Sequence, residues 1–124
     1  MKVNILIVED EVDIREGVSE YLSEVGYNVI SAEDGMQAIE IFNKNKFDLV
    51  ILDIMLPKAN GFIVLNKIRE ESNVPVIMLT AMSDDYTQIM SFDEKADDYI
   101  TKPFNPLELI ARVKSQIRRY TRLG

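Results

Sequence analysis

Three runs of the chain are apolar almost without a break: Val3 to Val8, Leu49 to Leu52 and Val74 to Leu79. Unbroken runs of this length fit parallel strands covered on both faces, because a strand with one wet face alternates instead. Tyr27 to Ser31 and Asp98 to Thr101 are shorter and more polar, which suits the edges of a sheet. Between these segments apolar residues recur at helical spacing. Ile14, Val18, Tyr21, Leu22 and Val25 form one stripe, closed by Gly26. Asp34 precedes a second helix, Gly61 begins a third and Ser83-Asp84 caps a fourth. The last runs from about Asn105 to Tyr120, with Leu107, Ile110, Val113 and Ile117 on one face. Five βα units with short connections predict an α/β fold: a doubly wound, five-stranded parallel sheet flanked by five helices. The common strand order for such a sheet is 2-1-3-4-5, which makes strands 1 and 3 neighbours at the topological switch point. Ligands bind there, outside the strand C-termini.

Composition narrows the chemistry. With 124 residues, 47% of them hydrophobic, the chain suits one globular domain. No apolar run approaches a membrane span and no signal peptide is visible, so a cytoplasmic protein without membrane contact is expected. The absence of Cys and His removes thiolate and imidazole chemistry and leaves carboxylates as the abundant reactive groups. The net charge of −7 argues against nucleic-acid binding by this chain itself. Residues 112–124 carry Arg112, Lys114, Arg118, Arg119 and Arg122 and no acid, leaving 9 bases against 21 acids over residues 1–111, a balance of −12. A final helix whose cations suit its C-terminal dipole explains the basic end more simply than DNA contact does.

Four strands end side by side in residues capable of chemistry. Strand 1 runs into Glu9-Asp10, strand 3 into Asp53, strand 4 into Thr80 and strand 5 into Lys102. Singly, each has an ordinary role as a cap, a loop hydroxyl or a solvated charge. Together, three carboxylates with only Lys102 as counter-charge form an over-acidic site, since two carboxylates about 5 Å apart repel by roughly 3 kcal/mol at an effective dielectric of 20. A divalent cation relieves this at neutral pH, and a set of oxygen donors selects a hard ion such as Mg²⁺, with Mn²⁺ as a substitute. Lys102 and the Thr80 hydroxyl can engage an anion, so the set suits a phosphoryl group beside Mg²⁺ and a nucleophilic carboxylate.

From ILIVEDE (residues 5 to 11) through DLVILDIMLPKANG (48 to 61), VIMLTA (76 to 81) and ADDYITKPF (96 to 104), the chain resembles a receiver domain of two-component response regulators, which have a flavodoxin-like fold. The resemblance implies that Asp53 is the phosphoacceptor, charged by a phosphohistidine on a sensor histidine kinase. It implies that Asp10, Asp53 and the Met55 carbonyl hold Mg²⁺ directly, with Glu9 acting through water. Lys102 then pairs with the phosphoryl group, and Lys102-Pro103 sits where the family has a cis peptide. Thr80 and the amide of Ala81 meet the phosphoryl oxygens, and Tyr99 is the aromatic that turns inward behind Thr80. The domain is then a signalling module rather than an enzyme, with at most slow self-phosphorylation from small phosphodonors and slow dephosphorylation. Met55 and Met82, two residues beyond Asp53 and Thr80, cannot orient a hydrolytic water, so a long-lived phosphoryl group is expected.

The last third is similar to the OmpR-type branch, whose receivers precede a winged-helix DNA-binding domain and dimerise on phosphorylation through helix 4, strand 5 and helix 5. That resemblance implies an apolar patch of Ile89, Phe92 and Ala111, with ion pairs from Asp97, Asp98, Glu108, Arg112 and Arg119 across the subunits. Gln88 stands where the branch has a lysine, removing one pair per half of a symmetric dimer, and Ser91 and Lys95 stand where glycines are usual. On this reading residues 1–121 are the receiver, and 122–124 begin a linker to a DNA-binding domain not in this chain. DNA is then met only through that domain, in the control of transcription. Two other readings compete: a stand-alone receiver that signals by docking a protein, and a Mg²⁺-dependent phosphatase working through an aspartyl-phosphate, for which no substrate-covering insertion is visible. An FMN carrier is disfavoured by the acidic first βα loop, EDEVD.

Overall fold

A computed structural model of the chain describes residues 2–81 and 96–123. The elements alternate as β1 (Asn4–Val8), α1 (Val12–Val25), β2 (Asn28–Ala32), α2 (Gly35–Lys44), β3 (Leu49–Asp53), α3 (Gly61–Glu71), β4 (Val76–Ala81), β5 (Asp98–Lys102) and α4 (Pro106–Leu123). The strands form one parallel sheet in the order β2-β1-β3-β4-β5. The three apolar runs take the centre and the two shorter segments the edges, as their patterning predicts. Among the described residues there are four helices where five are expected. The helix predicted after Ser83-Asp84, with Met82, Gln88, Ile89, Phe92 and Lys95, lies outside the described residues. No helix among the described residues is long and apolar enough to cross a membrane.

Alternation along each strand divides the interior into two cores. Leu6, Val8, Val50, Leu52, Val76 and Met78 face one side, where α2 and α3 bring Ala38, Val64, Leu65 and Ile68. Ile5, Ile7, Leu49, Ile51, Ile77 and Leu79 face the other, against Val18 and Leu22 of α1 and Leu109, Val113 and Ile117 of α4. Two expectations for the helix faces need correction. Tyr21 and Val25 are 45% and 38% exposed, and Leu107 is 72% exposed while Leu109 is buried. At about 100° per residue, Leu107 lies about 200° around the helix from Leu109, so both cannot face the sheet.

The parallel register levels the strand ends. Val8 pairs with Leu52 and Asp53 with Leu79, while Thr80 pairs with Thr101 and Ala81 with Lys102. One residue past the Val8–Leu52 pair stand Glu9 and Asp53, which therefore leave the sheet at the same height. Asp53 and Lys102 are the last residues of their strands rather than the first of their loops, so a hydrogen-bonded sheet sets their positions.

Candidate functional site

The acidic residues meet as the topology requires. Carboxylate oxygens of Glu9, Asp10 and Asp53 all lie within 4.8 Å of one another. Asp10 is exposed, while Glu9 is fully buried and Asp53 nearly so. Lys102 reaches between the two buried carboxylates: its Nζ donates to Asp53 Oδ2 at 3.0 Å and lies 2.6 Å from Glu9 Oε1. That second contact is close in charge but poor in angle, and Oε1 accepts no hydrogen bond of good geometry. The remaining oxygens are held from the main chain, Glu9 Oε2 by the Glu11 N–H at 3.1 Å and Asp53 Oδ1 by the Met55 N–H at 3.2 Å.

The pKa values follow from this placement. Burial lifts the Glu9 carboxyl to about 7, and Asp53 adds to the rise while Lys102 and the Glu11 N–H oppose it. Burial by itself would lower Lys102, but its contacts with Glu9 and Asp53 outweigh that and hold it above its ordinary value. Two crowded carboxylates with one ammonium between them still leave the site short of positive charge. An all-oxygen donor set of three carboxylates with a single ammonium beside it suits a hard divalent cation, so the residues fit Mg²⁺.

Around this centre, Thr80 is buried at the end of β4 beside β5, and the exposed Ala81 follows it. Tyr99 is half-buried and packs against the core shared by α2 and α3. The Lys102-Pro103 peptide is cis, as the resemblance implies. The apolar stretch after Asp53 packs mostly inward. Ile54 and Leu56 turn into the core, and only Met55, 68% exposed, is left at the surface.

The loop from Ile54 to Asn60 is tightly seated. Lys58 has φ 69°, and the Ala59 N–H donates to the Pro57 carbonyl at 2.8 Å, closing a three-residue γ-turn. A Cβ on Gly35 would strike the Ala59 carbonyl, and one on Gly61 would strike the carbonyl of Asp53 itself. These two glycines let the N-termini of α2 and α3 touch the loop, and the Gly61 N–H secures it by donating to the Ile54 carbonyl at 2.8 Å. Gly61 was legible as a helix start, but not as the residue whose missing side chain makes room for Asp53.

Of the charged residues assigned to a dimer face, Asp97 stands just before β5, Asp98 lies on it, and Glu108, Arg112 and Arg119 lie on α4; Asp97, Asp98, Glu108 and Arg112 meet partners within the chain. Arg112 Nη1 donates to Asp98 Oδ1 at 2.7 Å, and its other nitrogen is 4.0 Å from Glu108. Asp97 Oδ2 accepts from Arg69 and from the Val76 N–H, each at 2.8 Å. Ala111 and Arg119 are exposed on α4.

One charged residue near the site has no counterpart in the sequence reading. Arg15, on the buried stripe of α1 with Val18 and Leu22, is only 9% exposed. Its Nη1 donates to the Glu9 carbonyl at 2.9 Å, and Nη2 lies 3.4 Å from Glu33. Positions 15, 18 and 22 share helical spacing, so a cation on a buried stripe was the available signal.

Comparison with known proteins agrees with this arrangement. The family model described as "Response regulator receiver domain" matches residues 5–114. "Response regulator RR06" of Streptococcus pneumoniae is 46% identical over 118 residues, which is 95% of this chain and 54% of that protein. "Probable transcriptional regulator ycf27" of Porphyridium aerugineum is 49% identical over 118 residues, 95% of this chain and 49% of that one. The chain thus spans about half the length of the curated relatives it matches. Among solved structures, a CheY-like response regulator receiver domain protein from Methanospirillum hungatei superposes with a TM-score of 0.93 at 27% identity, over 100% of both chains. The chain belongs to the response regulator receiver domain family.

Proposed function

We propose that this receiver accepts a phosphoryl group on Asp53 from a sensor histidine kinase, with Mg²⁺ held by Asp10, Asp53 and the Met55 carbonyl and Glu9 acting through water. The observation that carries the reading is the convergence of three carboxylates within 4.8 Å, with Lys102 between the two buried ones. Bound Mg²⁺, or Mn²⁺ in its place, would supply the charge needed to bring an anionic phosphoryl group to an acidic pocket. The protein does the positioning. The Met55 N–H and Lys102 each hold one Asp53 oxygen, so the carboxylate enters the reaction oriented rather than rotating. As an Asp53 oxygen forms its bond to phosphorus, the donor's N–P bond breaks and the imidazole leaves with the electron pair. Lys102 then turns from a carboxylate partner into a phosphoryl partner, joined by the Thr80 hydroxyl and the Ala81 N–H.

The added charge of roughly −1.5 to −2 is what the switch responds to. Thr80 moves towards the phosphoryl oxygens and Tyr99 fills the space behind it, changing the face built from β5, α4 and the helix predicted after Ser83-Asp84. That face, with Gln88, Ile89, Phe92, Asp97, Asp98, Glu108, Ala111, Arg112 and Arg119, pairs two subunits in the manner of the OmpR-type branch. The name of the relative from Porphyridium aerugineum, "Probable transcriptional regulator ycf27", supports an output in transcription, reached through a DNA-binding domain. A groove of about 240 Å³ between α1 and the β5–α4 loop, lined by Ile14, Val18, Phe104 and Leu109 and adjoining Lys102, offers the kinase an apolar seat.

The test is to incubate the protein with a small phosphodonor, with and without Mg²⁺, and to map the labelled peptide by mass spectrometry. One phosphoryl group on the peptide containing Asp53, and only with the metal present, is expected. Labelling elsewhere, or labelling indifferent to Mg²⁺, contradicts the assignment.

A further inference from the structure

We infer that Arg15 is a positioning residue for the metal site, acting through the main chain of Glu9 and Asp10. The inference rests on the metal reading proposed above. Arg15 is an expensive residue to place here: its side chain is 11% exposed, and a buried cation without strong partners loses its hydration. Its best-formed bond is to a neutral group, the Glu9 carbonyl at 2.9 Å. The same nitrogen is 3.4 Å from the Asp10 carbonyl, and Nη2 reaches the two-thirds-exposed Glu33 carboxylate at 3.4 Å. An apolar side chain of similar length would fill the space between Val18 and Leu22 at no such cost, so packing does not call for a guanidinium.

What a guanidinium supplies is a fork. One prong, Nη1, meets the main-chain carbonyls of Glu9 and Asp10, and the other, Nη2, ties them to the β2–α2 loop that carries Glu33. The Glu9 N–H adds a second tie to the same region, donating to the Ala32 carbonyl at 3.1 Å. The main chain that carries two of the three converging carboxylates is thereby held in place. Groups outside the ligand shell that orient ligands in this way typically change metal affinity about 10–100-fold when removed.

Coulomb's law makes the opposite prediction, and that makes the inference testable by sign. A cation close to a metal site repels the metal, so deleting its charge should tighten Mg²⁺ binding. Orientation predicts that deletion weakens it. Mg²⁺ affinity is therefore measured by isothermal titration calorimetry for wild type, Arg15→Lys and Arg15→Met, beside the Mg²⁺ dependence of labelling by a small phosphodonor. We expect Arg15→Met to bind Mg²⁺ about tenfold more weakly, with the labelling rate at saturating Mg²⁺ within about twofold of wild type. Arg15→Lys, which keeps the charge but not the fork, falls between them. Equal or tighter binding by Arg15→Met overturns the inference. Should Arg15→Met fail to fold, Arg15→Lys decides: weaker Mg²⁺ binding at an unchanged melting temperature supports positioning, and wild-type affinity overturns it. A wild-type protein that takes up no Mg²⁺ removes the metal reading and this inference with it. Normal wild-type affinity with unaltered variants removes only the inference.

Discussion

Glu9 lies with its carboxylate beside Lys102 and Asp53, so one neighbour favours its charge while burial and the other neighbour oppose it. Its folded pKa of about 7 stands above the usual carboxylate range, so between the two values the folded state binds the proton more tightly. The stability this gives is present at low pH and is lost as pH rises through about 7. Lys102 is shifted upward from a value already far above neutrality, so its contribution is constant across this window and is lost only in alkali. In metal-free buffer, then, wild type should lose stability from pH 5 to pH 8 relative to Glu9→Gln, by roughly 1–3 kcal/mol. Thermal melts at the two pH values check this, and parallel curves would refute it. Met55 yields a second expectation. With its side chain in solvent and unable to activate water, the phosphoryl group should be long-lived, and Met55→Glu should hasten its loss roughly tenfold or more through general-base assistance. Decay of the labelled protein over time measures both, and a wild-type half-life of seconds would count against the idea. Glu9 and Asp53 were legible because each stands where an apolar run meets a polar residue, and Lys102 because the motif around it matches the family. Arg15 was not, because attention to a helix's apolar stripe passes over a cation lying on it.

Helix starts and loops carry the next level of control over Asp53. The Asn60 side chain accepts from the N–H groups of Phe62 and Ile63 at 2.9 and 3.0 Å, capping α3 directly below the acceptor loop. Gly61 follows, touching the Asp53 carbonyl, and any Cβ there must push on the strand end or lift the helix. Gly61→Ala is thus expected to cost about 1–3 kcal/mol despite alanine's better helix propensity. Asn60→Ala should cost about 1 kcal/mol through the lost cap alone. Denaturant unfolding measures both costs, and Gly61→Ala should also slow labelling of Asp53 where Asn60→Ala has the smaller effect. A stabilised Gly61→Ala would mean that the close approach is not maintained in solution. Strand identity and type followed from the apolar runs, whereas edges shifted by a residue or two. Pro75, lacking an N–H, delays β4 to Val76, and β2 starts at Asn28 rather than Tyr27. Leu107 misled because an apolar residue in the first turn was counted with a face that lies elsewhere on the cylinder. The γ-turn at Lys58 left no mark in the sequence, since a lysine seldom signals a positive φ.

Taken together, the fold brings Glu9, Asp10, Asp53 and Lys102 to one edge of the sheet, and the proposed reporting face is that of β5 and α4. The Asp98–Arg112–Glu108 cluster is satisfied within one chain, so the proposed dimer would exchange or share these pairs rather than create them from free charges. Such partly exposed pairs contribute about 0–1 kcal/mol each, so Arg112→Glu should leave the monomer folded while abolishing phosphorylation-dependent dimerisation. Sedimentation of the labelled protein tests this, and an unaltered dimer in the variant would place the interface elsewhere. Alternation indicates a doubly wound parallel sheet, because βα units with short connections have few ways to pack, while the strand order is assumed from the common case and the sheet has it. The proposed dimer face rests on resemblance alone, since nothing in its periodicity separates an interface charge from a solvated one. The most direct test compares wild type with Asp53→Asn, a change that preserves size but removes the nucleophilic carboxylate. With a small phosphodonor and Mg²⁺, wild type should take up one phosphoryl group and the variant none. Equal labelling of the two would contradict the assignment of Asp53 as the acceptor.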